Sequence, residues 1–272
     1  MKKPKVCVLR SAGTNCDKET AFAFQKAGAA AELVHINKII ADKDMLKSYQ
    51  ILALPGGFTY GDDLGAGRIF ANELRYKLGD SLRDFIADAK LIIGICNGFQ
   101  ILVKSGILPG NDSFRQDVSL IINDSGKFED RWVYLRNQKS KNPCLPAGRK
   151  NQNCVWTRNL PQVIYLPVAH GEGKFITKDK SVLERLKKNG QIVFCYCSSD
   201  NRLSVYPDNP NGSVENIAGI CDDTGRILGL MPHPERHIDF TQNPQWTSLA
   251  KRAQGDGLRI FQNGVEYARK NL

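Results

Sequence analysis

A doubly wound α/β sheet, open and mostly parallel, is the fold class this sequence predicts, with additional antiparallel strands in its second half. Three observations predict it. Apolar runs alternate with helix-forming segments over the first hundred residues, the order that βαβ units require. The runs are continuously apolar, as strands covered on both faces are. Glycine or proline breaks the chain behind them, at Gly13 and at Pro55-Gly56-Gly57, where strand-to-helix loops need a permissive backbone.

Each element follows in order. Residues 6–9 (Val-Cys-Val-Leu) form the first strand, and Thr14 or Asn15 caps a helix over 17–27,. Gly28 stands at its C-terminal cap. Residues 31–36 and 51–54 read as the second and third strands. A glycine-dotted loop runs to Gly67, and a helix is expected from Ile69 to about Ala89. Residues 91–95 (Leu-Ile-Ile-Gly-Ile) are the fourth strand, and 98–105 the helix after it. Beyond that, short runs at 132–135, 163–168, 192–197 and 218–221 read as further strands, some antiparallel. Residues 208–212 are a turn cluster. Residues 227–231 form a last core strand leading into Pro232-His233-Pro234-Glu235, and a closing helix covers about 257–270. Residues 1–272 are read as one domain, with an exposed insertion at about 137–160 and a helical tail at about 243–272.

The 272 residues are 42% hydrophobic and 24% charged, near globular averages. No apolar stretch reaches the roughly 18–20 residues that span a bilayer. The basic start is followed by only four apolar residues, too few for a secretory segment, so the expected place is the cytoplasm. The net charge of +10 suits anionic partners, but no aromatic stripe interleaves with the basic residues, so neither nucleic acid nor membrane is expected. None of the eight cysteines forms a C-x-x-C. Seven are read as structural thiols that behave as small hydrophobes, and no metal site is expected.

The eighth, Cys96, stands in Gly94-Ile95-Cys96-Asn97-Gly98. That string is G-x-S-x-G with cysteine for serine, set between a strand and a helix as a nucleophile elbow is. Its sharp turn lifts the thiol to the carboxyl edge of the sheet, where sites of open α/β sheets form. A thiol nucleophile needs a base and a group to orient it. Of four histidines, His35 is read as structural and His237 as a surface residue. His233 follows the last strand, and Glu235, two residues on, points the same way in an extended segment. Cys96, His233 and Glu235 are thus the candidate triad. Backbone N–H groups of Asn97 and Gly57 are the candidate oxyanion donors, each worth about 3–4 kcal/mol to an acyl-transfer transition state.

Pro55-Gly56-Gly57-Phe58, Gly94-Ile95-Cys96-Asn97-Gly98-Phe99-Gln100 and Pro232-His233-Pro234-Glu235-Arg236 resemble the three motifs of the class I (triad-type) glutamine amidotransferases. Thr59-Tyr60-Gly61-Asp62, Ala169-His170-Gly171-Glu172-Gly173, Asn209-Pro210-Asn211-Gly212-Ser213 and Asn216-Ile217-Ala218-Gly219-Ile220 are similar to the glutaminases of phosphoribosylformylglycinamidine synthases, which serve de novo purine synthesis. The likeness runs from about Val6 to Arg236.

The resemblance implies a flavodoxin-like sheet and a specific chemistry. Cys96 would attack the side-chain amide of L-glutamine and form a γ-glutamyl thioester. His233 would protonate the departing ammonia and Glu235 would orient it. Gly56 and Gln100 would help hold glutamine, and His170 and Gly171 would line the glutamine pocket or the contact with the synthetase. No G-x-x-x-x-G-K-[ST] occurs,, so this chain would carry no cofactor, with ATP and Mg expected on a partner synthetase that receives the ammonia. Residues 136–161 are longer than in compact separate subunits of the family, and the tail looks more like the fused form. Whether a small bridging subunit is needed stays open. A flavodoxin-like oxidant sensor would use the elbow cysteine but needs no carboxylate-oriented base.

Overall fold

Nine strands make one mixed sheet in the computed structural model, which describes residues 3–110, 114–138, 154–203 and 205–272. The strands are β1 (Lys5–Arg10), β2 (Ala30–His35), β3 (Ile51–Leu54), β4 (Leu91–Ile95), β6 (Glu129–Asn137), β7 (Val163–His170), β9 (Ile192–Cys197), β10 (Ile217–Cys221) and β11 (Ile227–Leu230). Their order is β2-β1-β3-β4-β11-β10-β9-β6-β7. From β2 to β11 every pairing is parallel; from β11 to β7 every pairing is antiparallel. The run 6–9 of β1, expected to be covered on both faces, is buried throughout, and β3, β4 and β11 are buried at every position.

Helices cover this sheet in two groups. Helix α1 (Asp17–Lys26) packs against α7 (Leu258–Asn271), with Phe24 edge-on to Phe261 at 4.9 Å and to Trp156 at 6.5 Å. Helices α3 (Arg68–Lys77), α4 (Gly79–Ala87) and α5 (Asn97–Lys104) form the other group. The expected helix over 69–89 is therefore two helices. Leu78, at φ −122° and ψ 8°, leaves the helical region, and Gly79, a weak helix former, follows it.

Other expectations need correction. β2 stops at His35, whose Nδ1 accepts the Asn37 N–H at 3.2 Å and so caps α2 (Ile36–Ala41). A two-stranded sheet of β5 (Val118–Ile121) and β8 (Lys174–Thr177), and helix α6 (Lys180–Asn189), were not expected. Of the insertion at 137–160, residues 139–153 lie outside the described residues. Its described flanks are partly buried: Asn137 belongs to β6 and Trp156 is fully buried, with its indole N–H donating to the Arg226 carbonyl at 2.9 Å, whereas Arg158 and Asn159 are exposed. The tail is helical only at Trp246–Ser248 and over α7. Among the described residues, no helix is long and apolar enough to cross a membrane.

Candidate active site

The carboxyl ends of four parallel strands converge on Cys96. The residue follows β4 directly and has φ 52° and ψ −108°, a backbone conformation costly for any residue but glycine. Close packing imposes that turn. A Cβ on Gly98 would lie 1.9 Å from the Leu54 carbonyl oxygen at the end of β3, and one on Gly94 would lie 2.6 Å from the Gly98 carbonyl. Only glycines let α5 descend this far onto the sheet. Cys96 N–H donates to the Leu230 carbonyl of β11 at 2.8 Å, and its thiol, 5% exposed, points to the Ala169 carbonyl at 3.6 Å.

β11 delivers the base. His233 is held in extended backbone by its N–H, which donates to the Pro167 carbonyl of β7 at 2.8 Å. Its Nδ1 lies 2.6 Å from Glu235 Oε1, and both residues are 2% exposed. Burial works against charge on the imidazole, but the Glu235 carboxylate, with the Cys96 and Cys16 sulfurs, outweighs it and raises its pKa well above the usual value,. An imidazolium beside a carboxylate is the stabilised form here. His233 Nε2 and Glu235 Oε2 are both buried without a hydrogen-bond partner.

The oxyanion candidates stand on the two segments next to Cys96, the first turn of α5 and the loop after β3. Asn97 and Gly98 open α5, and first-turn N–H groups have no acceptor within their own helix. Gly57, at φ +138°, needs to be glycine because Asn15 N and Oδ1 would stand 2.7 and 2.8 Å from any Cβ. The Asn97 side chain ties the two donors together. Its Oδ1 accepts from the Thr59 hydroxyl at 2.6 Å and the Thr59 N–H at 3.3 Å; its Nδ2 donates to Asp62 Oδ1 at 3.1 Å and Gln100 Oε1 at 3.0 Å. The loop after β3 is thereby stitched to the helix after the nucleophile.

The remaining expected residues sit around this centre. Gln100 spends its amide inside the protein, with Nε2 donating to the Glu172 carbonyl at 2.6 Å. His170 ends β7, and its Nδ1 lies 3.1 Å from Asn123 Oδ1, which also accepts the Gly173 N–H at 2.9 Å. Burial, then the charge of His233, pushes the His170 pKa down to about 3, so its ring is neutral. Gly171 is anchored through its carbonyl, which accepts the Asn123 N–H at 3.0 Å. His237 is not a surface residue: it is fully buried, with Nδ1 2.7 Å from the Tyr165 carbonyl and Trp132 edge-on at 5.1 Å.

Two residues were missed at the sequence level. Cys16, counted there among the structural thiols, stands at the N-terminal cap position of α1 without a side-chain capping bond and lies against His233. Its thiol points to Asn15 Oδ1 at 3.5 Å and accepts from Arg236 Nη2 at 3.2 Å. Burial raises its pKa against the opposing pull of His233 and Arg236. Asn123 is the second, and it joins the loops of the antiparallel half by four side-chain hydrogen bonds. Neither stands within a recognisable local motif; the only signal is that each lies three positions from a single turn glycine, Gly13 or Gly126.

A family model described as "CobB/CobQ-like glutamine amidotransferase domain" matches residues 3–268. A curated relative from Dehalococcoides mccartyi, "Phosphoribosylformylglycinamidine synthase subunit PurQ", is 48% identical over 99% of this chain and 100% of its own length. One of the same name from Archaeoglobus fulgidus is 40% identical over 98% of this chain and 97% of its own. Among solved structures, "Structure of PurLQS from Thermotoga maritima" matches at TM-score 0.68 and 32% identity, covering 97% of this chain and 99% of that one. A putative GMP synthase subunit from Thermoplasma acidophilum shares the fold at TM-score 0.55 and 16% identity, covering 99% and 96% of the two chains.

Proposed function

The chain belongs to the family of CobB/CobQ-like glutamine amidotransferase domains, and from that premise we propose that it is the glutaminase subunit of a phosphoribosylformylglycinamidine synthase. It hydrolyses L-glutamine and passes the ammonia to a synthetase subunit for an ATP-dependent amidation in de novo purine synthesis. The observation that carries this reading is the left-handed Cys96 elbow set beside a buried imidazole–carboxylate pair 2.6 Å apart.

His233 takes the Cys96 proton, and the sulfur attacks the side-chain amide carbon of glutamine. The N–H groups of Asn97 and Gly57 receive the oxyanion. His233 then protonates the leaving nitrogen, ammonia departs, and a γ-glutamyl thioester remains on Cys96. Water activated by the same imidazole releases glutamate. Glu235 stabilises the imidazolium that forms in each half-reaction. The backbone of Gly56 and Gly171 borders the glutamine, while Gln100 and His170 act through the loop they hold. Exposed apolar side chains stand beside the site: Phe58 and Phe128 stack at 6.3 Å and are 46% and 51% exposed. Such a patch suits a protein partner, here the synthetase with a small bridging subunit. ATP and Mg belong to that synthetase, and the complex works in the cytoplasm.

The test is Cys96→Ala in the assembled complex. Glutamine-dependent amidation falls to background while ammonia-dependent amidation persists. Parallel loss of both with the complex intact would remove Cys96 from the role of dedicated glutaminase nucleophile.

A further inference from the structure

The reaction above makes no use of Cys16, yet its sulfur, a ring nitrogen of His233 and a carboxylate oxygen of Glu235 lie within 4.8 Å of one another, and all three residues are buried. Glu235 Oε2 has no hydrogen-bond partner, and the His233 ring, whose Nε2 makes no hydrogen bond of ordinary geometry, faces the Cys16 and Cys96 sulfurs. Cys96 borders the same space. A methyl group placed on Gly56 would lie 2.7 Å from His233 Cε1, 3.3 Å from Cys16 Sγ and 3.4 Å from Cys96 Cβ.

We propose that Cys16, His233 and Glu235 bind a thiophilic divalent cation of the zinc class, and that its binding switches glutamine hydrolysis off. A sulfur, an imidazole nitrogen and a carboxylate oxygen are the donor types that zinc selects. Zinc bonds of about 2.0–2.3 Å place tetrahedral donors roughly 3–4 Å apart, so the three side chains close in by about one ångström through small rotations. The fourth position is open to Cys96 Sγ or to water. Binding takes Cys16 as its thiolate and His233 as its neutral imidazole, and the thiol proton and the imidazolium proton both leave to solvent. That thiolate and the Glu235 carboxylate balance the two charges of the cation. Arg236, which donates to Cys16 Sγ, is already paired with Glu19 at 2.9 Å, so it adds no uncompensated positive charge. An imidazole nitrogen bonded to the cation no longer moves a proton for Cys96.

The inhibitory half of the proposal rests on the proposed glutaminase reaction; the binding half does not, and two measurements keep them apart. In the first, Zn2+ is titrated into the complex and each variant is normalised to its own metal-free rate. Glutamine-dependent turnover of the unaltered protein is lost and returns with chelator, while ammonia-dependent turnover is unchanged. Cys16→Ala and Cys16→Ser each raise the Zn2+ concentration for half-inhibition by at least about tenfold. In the second, Co2+ is added to the full chain carrying Cys96→Ala. A sulfur-to-cobalt charge-transfer band appears, and it vanishes when Cys16→Ala is added. Variants of Cys16 as sensitive to Zn2+ as the unaltered protein would overturn the proposal, as would absence of the band in Cys96→Ala. Equal loss of ammonia-dependent turnover would place the cation on the synthetase and overturn the switch. A chain with no glutamine-dependent rate even without metal would instead fail the glutaminase reading and leave the cobalt result standing.

Discussion

Two buried histidines end neighbouring regions of this molecule, and they are set up in opposite ways. His233 follows β11, where the parallel half of the sheet stops; His170 ends β7 in the antiparallel half. Both are about equally buried, at 2% and 3% exposure. His233 faces a carboxylate and its pKa is raised; His170 faces the amide of Asn123 and its pKa falls to about 3. Burial opposes charge on both rings. The partner decides which ring becomes a proton carrier and which remains a neutral strut. In the proposed mechanism the parallel half carries the chemistry, and the antiparallel half supports the loops that surround it.

The largest effect expected from this contrast comes from making His233 resemble His170. Glu235→Gln keeps an acceptor near Nδ1 but removes the charge that stabilises imidazolium. Glutamine-dependent kcat of the complex then falls by about 10²–10⁴-fold, and the alkaline limb of its pH profile moves to lower pH because burial is no longer outweighed. An unmoved limb would mean that Glu235 does not set the charge of His233.

A smaller loss is expected on the supporting side. Asn123 makes four hydrogen bonds, to Lys127 O, His170 O, Gly173 N and His170 Nδ1. Asn123→Ala strands buried groups at about 1–3 kcal/mol each, so denaturant unfolding shows a loss of several kcal/mol. Glutamine-dependent kcat falls less than in Glu235→Gln. The reverse order of effects on kcat would make the antiparallel half catalytic rather than supporting.

The smallest effect is a pH dependence. The unfolded chain protonates His170 near pH 6.5, whereas the folded protein resists until about 3. Stability from this group is therefore full above pH 6.5 and is lost as pH falls toward 3, at about 1.4 kcal/mol per unit. Between pH 7 and 5, the protein should lose about 2 kcal/mol more than His170→Gln does, measured by denaturant unfolding. Equal losses would show that His170 is not held neutral.

What was legible in the sequence was local. The elbow could be found because Gly94, Cys96 and Gly98 are neighbours in the chain, and the contacts that require glycine there are within α5 or to the next strand. The His233–Glu235 pair was legible because its members stand two positions apart, although Glu235 sits on a 3-10 turn rather than in extended chain. Helix α6 carried its own signals, with Asp179 accepting the Val182 N–H at 3.0 Å and Gly190 at φ 67° behind it, and was still not expected. The rest was hidden by distance along the chain. Cys16 meets Arg236 across 220 positions, and Asn123 meets His170 across 47. His237 looked like a loop residue, and only the fold brings Tyr165 and Trp132 around it.

The central claim is that Cys96 becomes acylated by glutamine. Acid-quenching the complex during steady turnover with glutamine, followed by mass spectrometry of its peptides, tests this directly. The account predicts one added glutamyl group on the peptide carrying Cys96, present in the unaltered protein and absent from Cys96→Ala. A glutamyl group on Cys16 instead, or an unmodified Cys96 peptide at full turnover, would contradict it.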